Sequence, residues 1–189
     1  MEYSLESLRQ EYRQGKRYKF LLFYGHAPLP NGIISQSCLS QWWMKPFVVE
    51  GITYSCAEQY MMAEKARLFN DARIEEQIMR ARDPYDMKKL GRSVRNFDER
   101  VWEKNRELIV RTASKAKFGQ NPELLTFIIG TGDKILAEAS PRDRIWGIGM
   151  GRNDPDADNP MRWKGLNLLG FALTQTRDEL IAEGADVQS

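Results

Sequence analysis

Glu58 and Lys65 stand seven residues apart in a segment, residues 55–69, that opens with a helix-start signal. On a helix this spacing leaves them about 20° apart around the axis and about 10 Å apart along it, with Met62 on the same stripe. A carboxylate and an ammonium on one apolar face are costly unless they pair or line a polar cavity. Each also has a plainer reading. Ser55 with Glu58 three residues later forms a capping box, and Lys65 would serve as a snorkelling surface lysine.

A second cluster runs Ser140-Pro141-Arg142-Asp143-Arg144-Ile145-Trp146-Gly147-Ile148-Gly149. Asp143 three residues before a Trp-Gly-x-Gly turn sets a carboxylate beside an aromatic plane and bare backbone, which suits a base or sugar held close to main chain. The plainer reading is a tight turn anchored by a buried tryptophan. The glycines 147, 149 and 151 lack the Lys-Ser/Thr of a phosphate loop. Beyond them Asp154, Asp156 and Asp158 alternate, but a calcium loop begun at Asp154 would need glycine and glutamate where Asn159 and Gly165 stand. Residues 149–163 are therefore expected to form a mobile loop over a substrate. Asn167 and Arg177 could reach a ligand, Arg177 being equally an ordinary late-helix arginine. Of the five tryptophans most belong to a core, and one or two in a cleft would stack a nucleobase at about 1–3 kcal/mol per base.

Composition narrows the chemistry further. His26 is the sole histidine, so a His-rich zinc site is excluded, as are a Ser-His-Asp triad and a Cys-His dyad placed away from it. Carboxylates, lysines, aromatics and backbone must carry any reaction. Cys38 and Cys56 are too few for a disulfide framework, which points to a reducing, cytoplasmic setting. The 28 Lys and Arg nearly balance 26 Asp and Glu, for a net charge of +2, which argues against wholesale coating of nucleic acid. With 42% hydrophobic and 29% charged residues over 189 positions, the chain has the make-up of one soluble globular domain. No run nears the roughly 18 apolar residues of a membrane span, and the acidic first residues carry no signal-peptide pattern.

The elements that must position these residues are mostly helical. Residues 4–15 read as a short polar helix and residues 19–24 as a buried strand, followed by a Gly- and Pro-rich loop over 25–40. Phe47–Val49 and Ile52–Tyr54 form a hairpin turned at Glu50-Gly51. Helices are expected over 55–69, 71–82, 84–90 (closed by Gly91), 98–118, 123–129 and 166–181, with a strand over 135–139. The fold class is α+β: a compact single domain, mostly helical, with a small sheet or hairpin. Its expected parts are an N-terminal helical extension (1–17), the domain proper (18–183) and a tail (184–189).

Taken in order, these segments resemble the NADAR family over about residues 18–180. The resemblance rests on Leu39-Ser40-Gln41-Trp42-Trp43 with Pro46-Phe47, Gly51-Ile52-Thr53-Tyr54, Ala57-Glu58-Gln59-Tyr60-Met61-Met62, and Lys65-Ala66. Gly91-Arg92, Trp102, Lys117-Phe118, Gln120-Asn121 and Thr131-Gly132-Asp133 continue it. Glu138-Ala139-Ser140-Pro141, residues 143–149, Gly165-Leu166-Asn167-Leu168-Leu169-Gly170 and Arg177 complete it. Two positions depart from the family pattern. Gln59 stands where a histidine is common, so no role of that histidine carries over, and Lys45 replaces a small residue.

The resemblance implies a metal-independent, cofactor-free N-glycosidase that hydrolyses the bond between ribose C1′ and a nitrogen. Glu58 would face the sugar. Lys65 would pair with it or capture opened ribose as a Schiff base, and Asp143 or Asp133 would orient a hydroxyl or water. Trp43, Phe47, Gln59, Met62, Trp102, Trp146, Gly147, Asn167 and Arg177 would surround the substrate, Trp102 and Trp146 stacking the base or closing the pocket and Arg177 holding phosphate. Among implied substrates, ADP-ribose on guanine in single-stranded DNA is preferred, since the 149–163 loop leaves room for a large ligand. Ribosylamino-pyrimidine phosphates of riboflavin biosynthesis are the alternative, and a non-catalytic ADP-ribose-binding module is the rival class. Arg142, Arg144, Arg152, Arg162 and Lys164 would meet a nucleic-acid backbone or form a solvated rim. A monomer with no membrane partner is expected.

Overall fold

The computed structural model describes residues 3–184; of the tail assigned to 184–189, all but Gly184 lies outside the described residues. The chain forms two compact units, one from residues 1–40 with 123–189 and one from 41–122. Across them run seven helices and four short strands among the described residues, so the α+β class holds. No helix among the described residues is long and apolar enough to cross a membrane.

The first unit contains α1 (Leu5–Arg13), β1 (Phe20–Phe23), α6 (Pro122–Ile129), β4 (Ile135–Glu138) and α7 (Leu168–Ala182). Strands β1 and β4 pair in parallel, Phe20 opposite Ile135 and Phe23 opposite Glu138. A two-stranded sheet leaves each strand with an open edge, and α7 closes that of β4 with side chains. Thr174 Oγ1 accepts from Leu136 N at 3.0 Å, while Asn167 accepts from Glu138 N and donates to Leu136 O, both at 3.0 Å. Gly170 allows the helix this close: a Cβ there would lie 2.2 Å from Leu136 O. The core gathers Leu8, Ile135, Ala137, Ile148, Met150, Ala157, Trp163 and Phe171.

Residues 149–163, expected to be a mobile cover, instead form part of that core. Met150, Ala157 and Trp163 are buried, Trp163 donates its indole N–H to Ala157 O at 2.8 Å, and its ring meets Phe20 edge-on at 5.2 Å. Arg9 staples the end of the segment, donating to Pro160 O and Trp163 O at 2.9 Å each. The apolar anchors outweigh the polar loop composition. Where the segment returns, a Cβ on Gly165 would stand 2.3 Å from Gly147 O, a backbone atom that cannot step aside. Gly165→Ala is expected to cost about 1–3 kcal/mol in urea unfolding, the overpacking range.

The second unit holds β2 (Phe47–Val49), β3 (Ile52–Tyr54), α2 (Ala57–Leu68), α3 (Ala72–Arg80), α4 (Pro84–Arg92) and α5 (Glu99–Gly119). The hairpin pairs Phe47 with Tyr54, as its residues indicate, with Glu50 and Gly51 both at positive φ in the turn. Phe47, Tyr54 and Tyr60 pack their rings together beneath α2, Tyr54 and Tyr60 edge-on at 4.9 Å. Gly91 does not close α4 but lies inside it, where a Cβ would strike the Met62 thioether.

Asp71 caps α3 and holds Arg95 in a two-pronged pair, with Arg95 N also donating to it at 2.9 Å. The Arg95 hydrogen bonds hold its carboxyl down to about 2, against an ordinary 3.8. Its stabilising contribution is therefore complete above the ordinary value and disappears as pH falls towards about 2. Compared by urea midpoint, wild type and Asp71→Asn should differ at neutral pH and converge at about pH 2.

Candidate active site

In the 41–122 unit the Ser55–Glu58 capping box does not form, and α2 carries no side-chain hydrogen bond at its Cys56 cap. Helix α2 begins at Ala57 behind Cys56, and it is Gln59 whose Oε1 accepts from Ser55 N at 2.8 Å and Ser55 Oγ at 3.0 Å. Its amide nitrogen donates to Ile78 O at 3.1 Å and Met79 O at 3.3 Å. Gln59 thus holds Ser55 at the entry to α2 through its oxygen and ties α2 to α3 through its nitrogen. Glu58 takes no part in the Ser55 contact. Its backbone N–H donates to Gln41 O at 2.9 Å, and its carboxylate sits in the first turn of α2, only 3% exposed.

Lys65 lies two turns further along, half-buried. Its Nζ rests 4.3 Å from the Phe97 ring centre and 5.5 Å from that of Trp102 and forms no ion pair among the described residues. The expected direct pair with Glu58 does not form, because two helical turns separate the groups and the aromatic faces hold the ammonium where it is. Burial lowers the Lys65 pKa below its ordinary 10.5, Glu58 opposing that shift and Arg92 adding to it. The amine is therefore easier to deprotonate than a surface lysine, as a nucleophilic amine requires. Trp102 is buried beneath it. Phe47 lies in the aromatic core, Met62 packs on Gly91, and Trp43 is also buried.

One buried charge in this unit had only its place in the family resemblance to draw notice. Lys117, on the inward stripe of α5 with Trp102, Arg106, Val110 and Ala113, is 1% exposed. The signal was a lysine falling in phase with an apolar helix face.

The candidates in the other unit are largely structural. Asp143 Oδ1 accepts from Ile145 N at 2.9 Å and Trp146 N at 2.7 Å, so the carboxylate builds its own turn, and Trp146 stays half-buried beside it. Gly147 is packed where a Cβ would meet Glu138 O at 2.8 Å. Asn167, fully buried and left-handed at φ 55, is occupied by β4. Arg177, 2% exposed, donates to Lys134 O at 2.6 Å and Thr131 Oγ1 at 3.1 Å and pairs with Asp178 at 2.9 Å. Its guanidinium is taken up inside the unit rather than offered to a phosphate. Asp133 is exposed in the turn before β4.

The NADAR domain model matches residues 22–181. The chain belongs to the NADAR domain family. Among its NADAR relatives is N-glycosidase R617 of Acanthamoeba polyphaga mimivirus, 39% identical over 85% of this chain and 96% of that protein. N-glycosidase YbiA of Escherichia coli is 32% identical over 73% of this chain and 78% of its own. The NMR structure of E. coli YbiA aligns with a TM-score of 0.71 at 27% identity, covering 90% of both chains. A riboflavin biosynthesis protein, VVA0006 of Vibrio vulnificus, is 31% identical over 70% of this chain but only 32% of its own length.

Proposed function

We propose that this chain, an N-glycosidase of the NADAR family and thus a hydrolase of N-glycosyl bonds, removes ADP-ribose from guanine in DNA. The observation that carries the reading is a buried Glu58 carboxylate on the same stripe of α2 as a lysine whose ammonium is destabilised. As the C1′–N bond breaks, its electrons leave with the nitrogen and positive charge grows on the ribose. Glu58 stabilises that charge or takes a proton from the water that adds to C1′, and the departing nitrogen gains a proton. Alternatively the ring opens as C1′–O4′ breaks and O4′ takes a proton, the Lys65 amine adds to C1′, the base nitrogen leaves with a proton, and water hydrolyses the resulting lysine imine to the sugar aldehyde and free amine.

Charge supports a polyanionic substrate. Residues 41–122 carry sixteen Lys and Arg against twelve Asp and Glu, while the rest of the chain carries twelve against fourteen. In the companion unit Arg142, Arg144, Arg152, Arg162 and Lys164 are all exposed. A second reading, cleavage of a ribosylamino-pyrimidine phosphate, is favoured by the relative named for riboflavin biosynthesis. A Glu58 side chain consumed by capping Ser55 would favour a non-catalytic binding module, and Ser55 contacts Gln59 instead.

Guanine-ADP-ribosylated single-stranded DNA and a ribosylamino-pyrimidine phosphate, incubated separately with wild type, decide between them. Loss of the DNA adduct supports the first reading. Cleavage of the pyrimidine alone transfers the activity to metabolite clearance, and cleavage of neither overturns both.

A further inference from the structure

Glu58 is buried, yet Lys65, the cation expected to neutralise it, is held on Phe97 and Trp102 instead. A carboxylate so sealed tends to take up a proton unless an opposite charge or hydrogen bonds hold it ionised. A second buried cation lies in the same unit. Helix α5 passes Lys65 at Trp102 and ends beside the hairpin, where Gln120 clasps Val48 through N–H and C=O, and Asn121 donates to Pro46 O at 3.1 Å. Phe47, between those contacts, packs on Tyr60 in the first turns of α2. Lys117, one turn before Asn121 and bonded to it through its own carbonyl, therefore lies at the end of α5 nearest the start of α2.

We propose that Lys117 is the buried counter-ion of Glu58, a positioning residue that keeps the carboxylate charged and aimed. The Cys56 thiol, at the start of α2, registers both groups: Glu58 acts to raise its pKa and Lys117 to lower it, while burial dominates. Two other cations on the surrounding elements act on other groups. Arg92 on α4 acts on Lys65, and Arg106 on α5 pairs with Glu103 at 3.6 Å. Breaking a buried pair on one side leaves an uncompensated charge, whereas replacing both partners removes the problem.

The test has a stability arm that is independent of activity and a pH arm that rests on the hydrolytic reading of Glu58. Urea midpoints are measured for wild type, Lys117→Met, Glu58→Gln and the double variant. Lys117→Met should lower the midpoint clearly in the wild-type background and much less when Glu58 is already glutamine. In the pH profile of kcat/KM, Lys117→Met should move the acid limb upward by about 1–3 units, and Lys117→Arg should restore it. Equal midpoint losses in both backgrounds, or failure of both the single and double variants to fold, would assign Lys117 to packing and overturn the pairing. Coupled midpoints in a protein that cleaves no N-glycosyl substrate would uphold the pair and remove the hydrolytic reading instead. An unmoved acid limb with coupled midpoints would overturn the claim that Lys117 keeps Glu58 charged.

Discussion

Glu58→Gln is expected to lower kcat by about 10²–10⁴-fold, the range of a positioned acid or base, while KM changes little. Glutamine keeps the shape of the side chain and leaves the Gln59–Ser55 contact at the start of α2 in place. What is lost is the negative charge that meets the developing cation, or the base that activates water. Some stability is lost as well, since Lys117 remains buried. Glu58→Asp separates the two effects: it retains the charge but withdraws it by one methylene, so activity should fall while the urea midpoint stays nearer wild type. Circular dichroism beside steady-state kinetics checks both variants. A Glu58→Gln protein that folds and turns over at the wild-type rate would remove Glu58 from the chemistry.

Lys65→Met should reduce kcat/KM by about 10²-fold or more and at the same time leave the protein as stable or more stable. The ammonium of Lys65 is disfavoured in the folded state, so its folded pKa lies below the unfolded value of 10.5. The unfolded chain then binds more protons between those two values, and stability rises with pH across that window. Below the window the charged lysine costs stability, a cost that methionine abolishes while preserving contact with Phe97 and Trp102. If the neutral amine reacts, wild-type activity should rise with pH along a limb below 10.5 that Lys65→Met lacks. Borohydride trapping of a sugar adduct on wild type but not on Lys65→Met would assign the imine route. Full activity in Lys65→Met would leave the lysine a structural cation.

Local signals were read well where the deciding interaction was itself local. The hairpin was legible because three-residue apolar strands flank Glu50-Gly51, and the helix spacing of Glu58 and Lys65 was legible for the same reason. Ser55 and Glu58 satisfy the capping-box pattern, but α2 starts behind Cys56, and the carbonyls of α3 that receive the Gln59 amide set Gln59 rather than Glu58 against Ser55. Gly91 looked like a stop, but the Met62 side chain makes it a packing position. The parallel pairing of β1 with β4 joins segments more than a hundred residues apart, and nothing in either strand names its partner. Asn167 and Arg177 showed the right chemistry for a ligand, and the structure spends that chemistry on β4 and on the turn before it. The loop over 149–163 misled through its polar composition, since Met150, Ala157 and Trp163 suffice to bury it.

The central claim is hydrolysis of a C1′–N bond that depends on Glu58. Its most direct test is turnover in oxygen-18 water of whichever N-ribosyl substrate wild type cleaves, with Glu58→Gln in parallel and both products weighed by mass spectrometry. The expected result is heavy oxygen on the sugar fragment, an unlabelled free base, and almost no product from Glu58→Gln. Heavy oxygen in the base, or equal product from the two proteins, would contradict it.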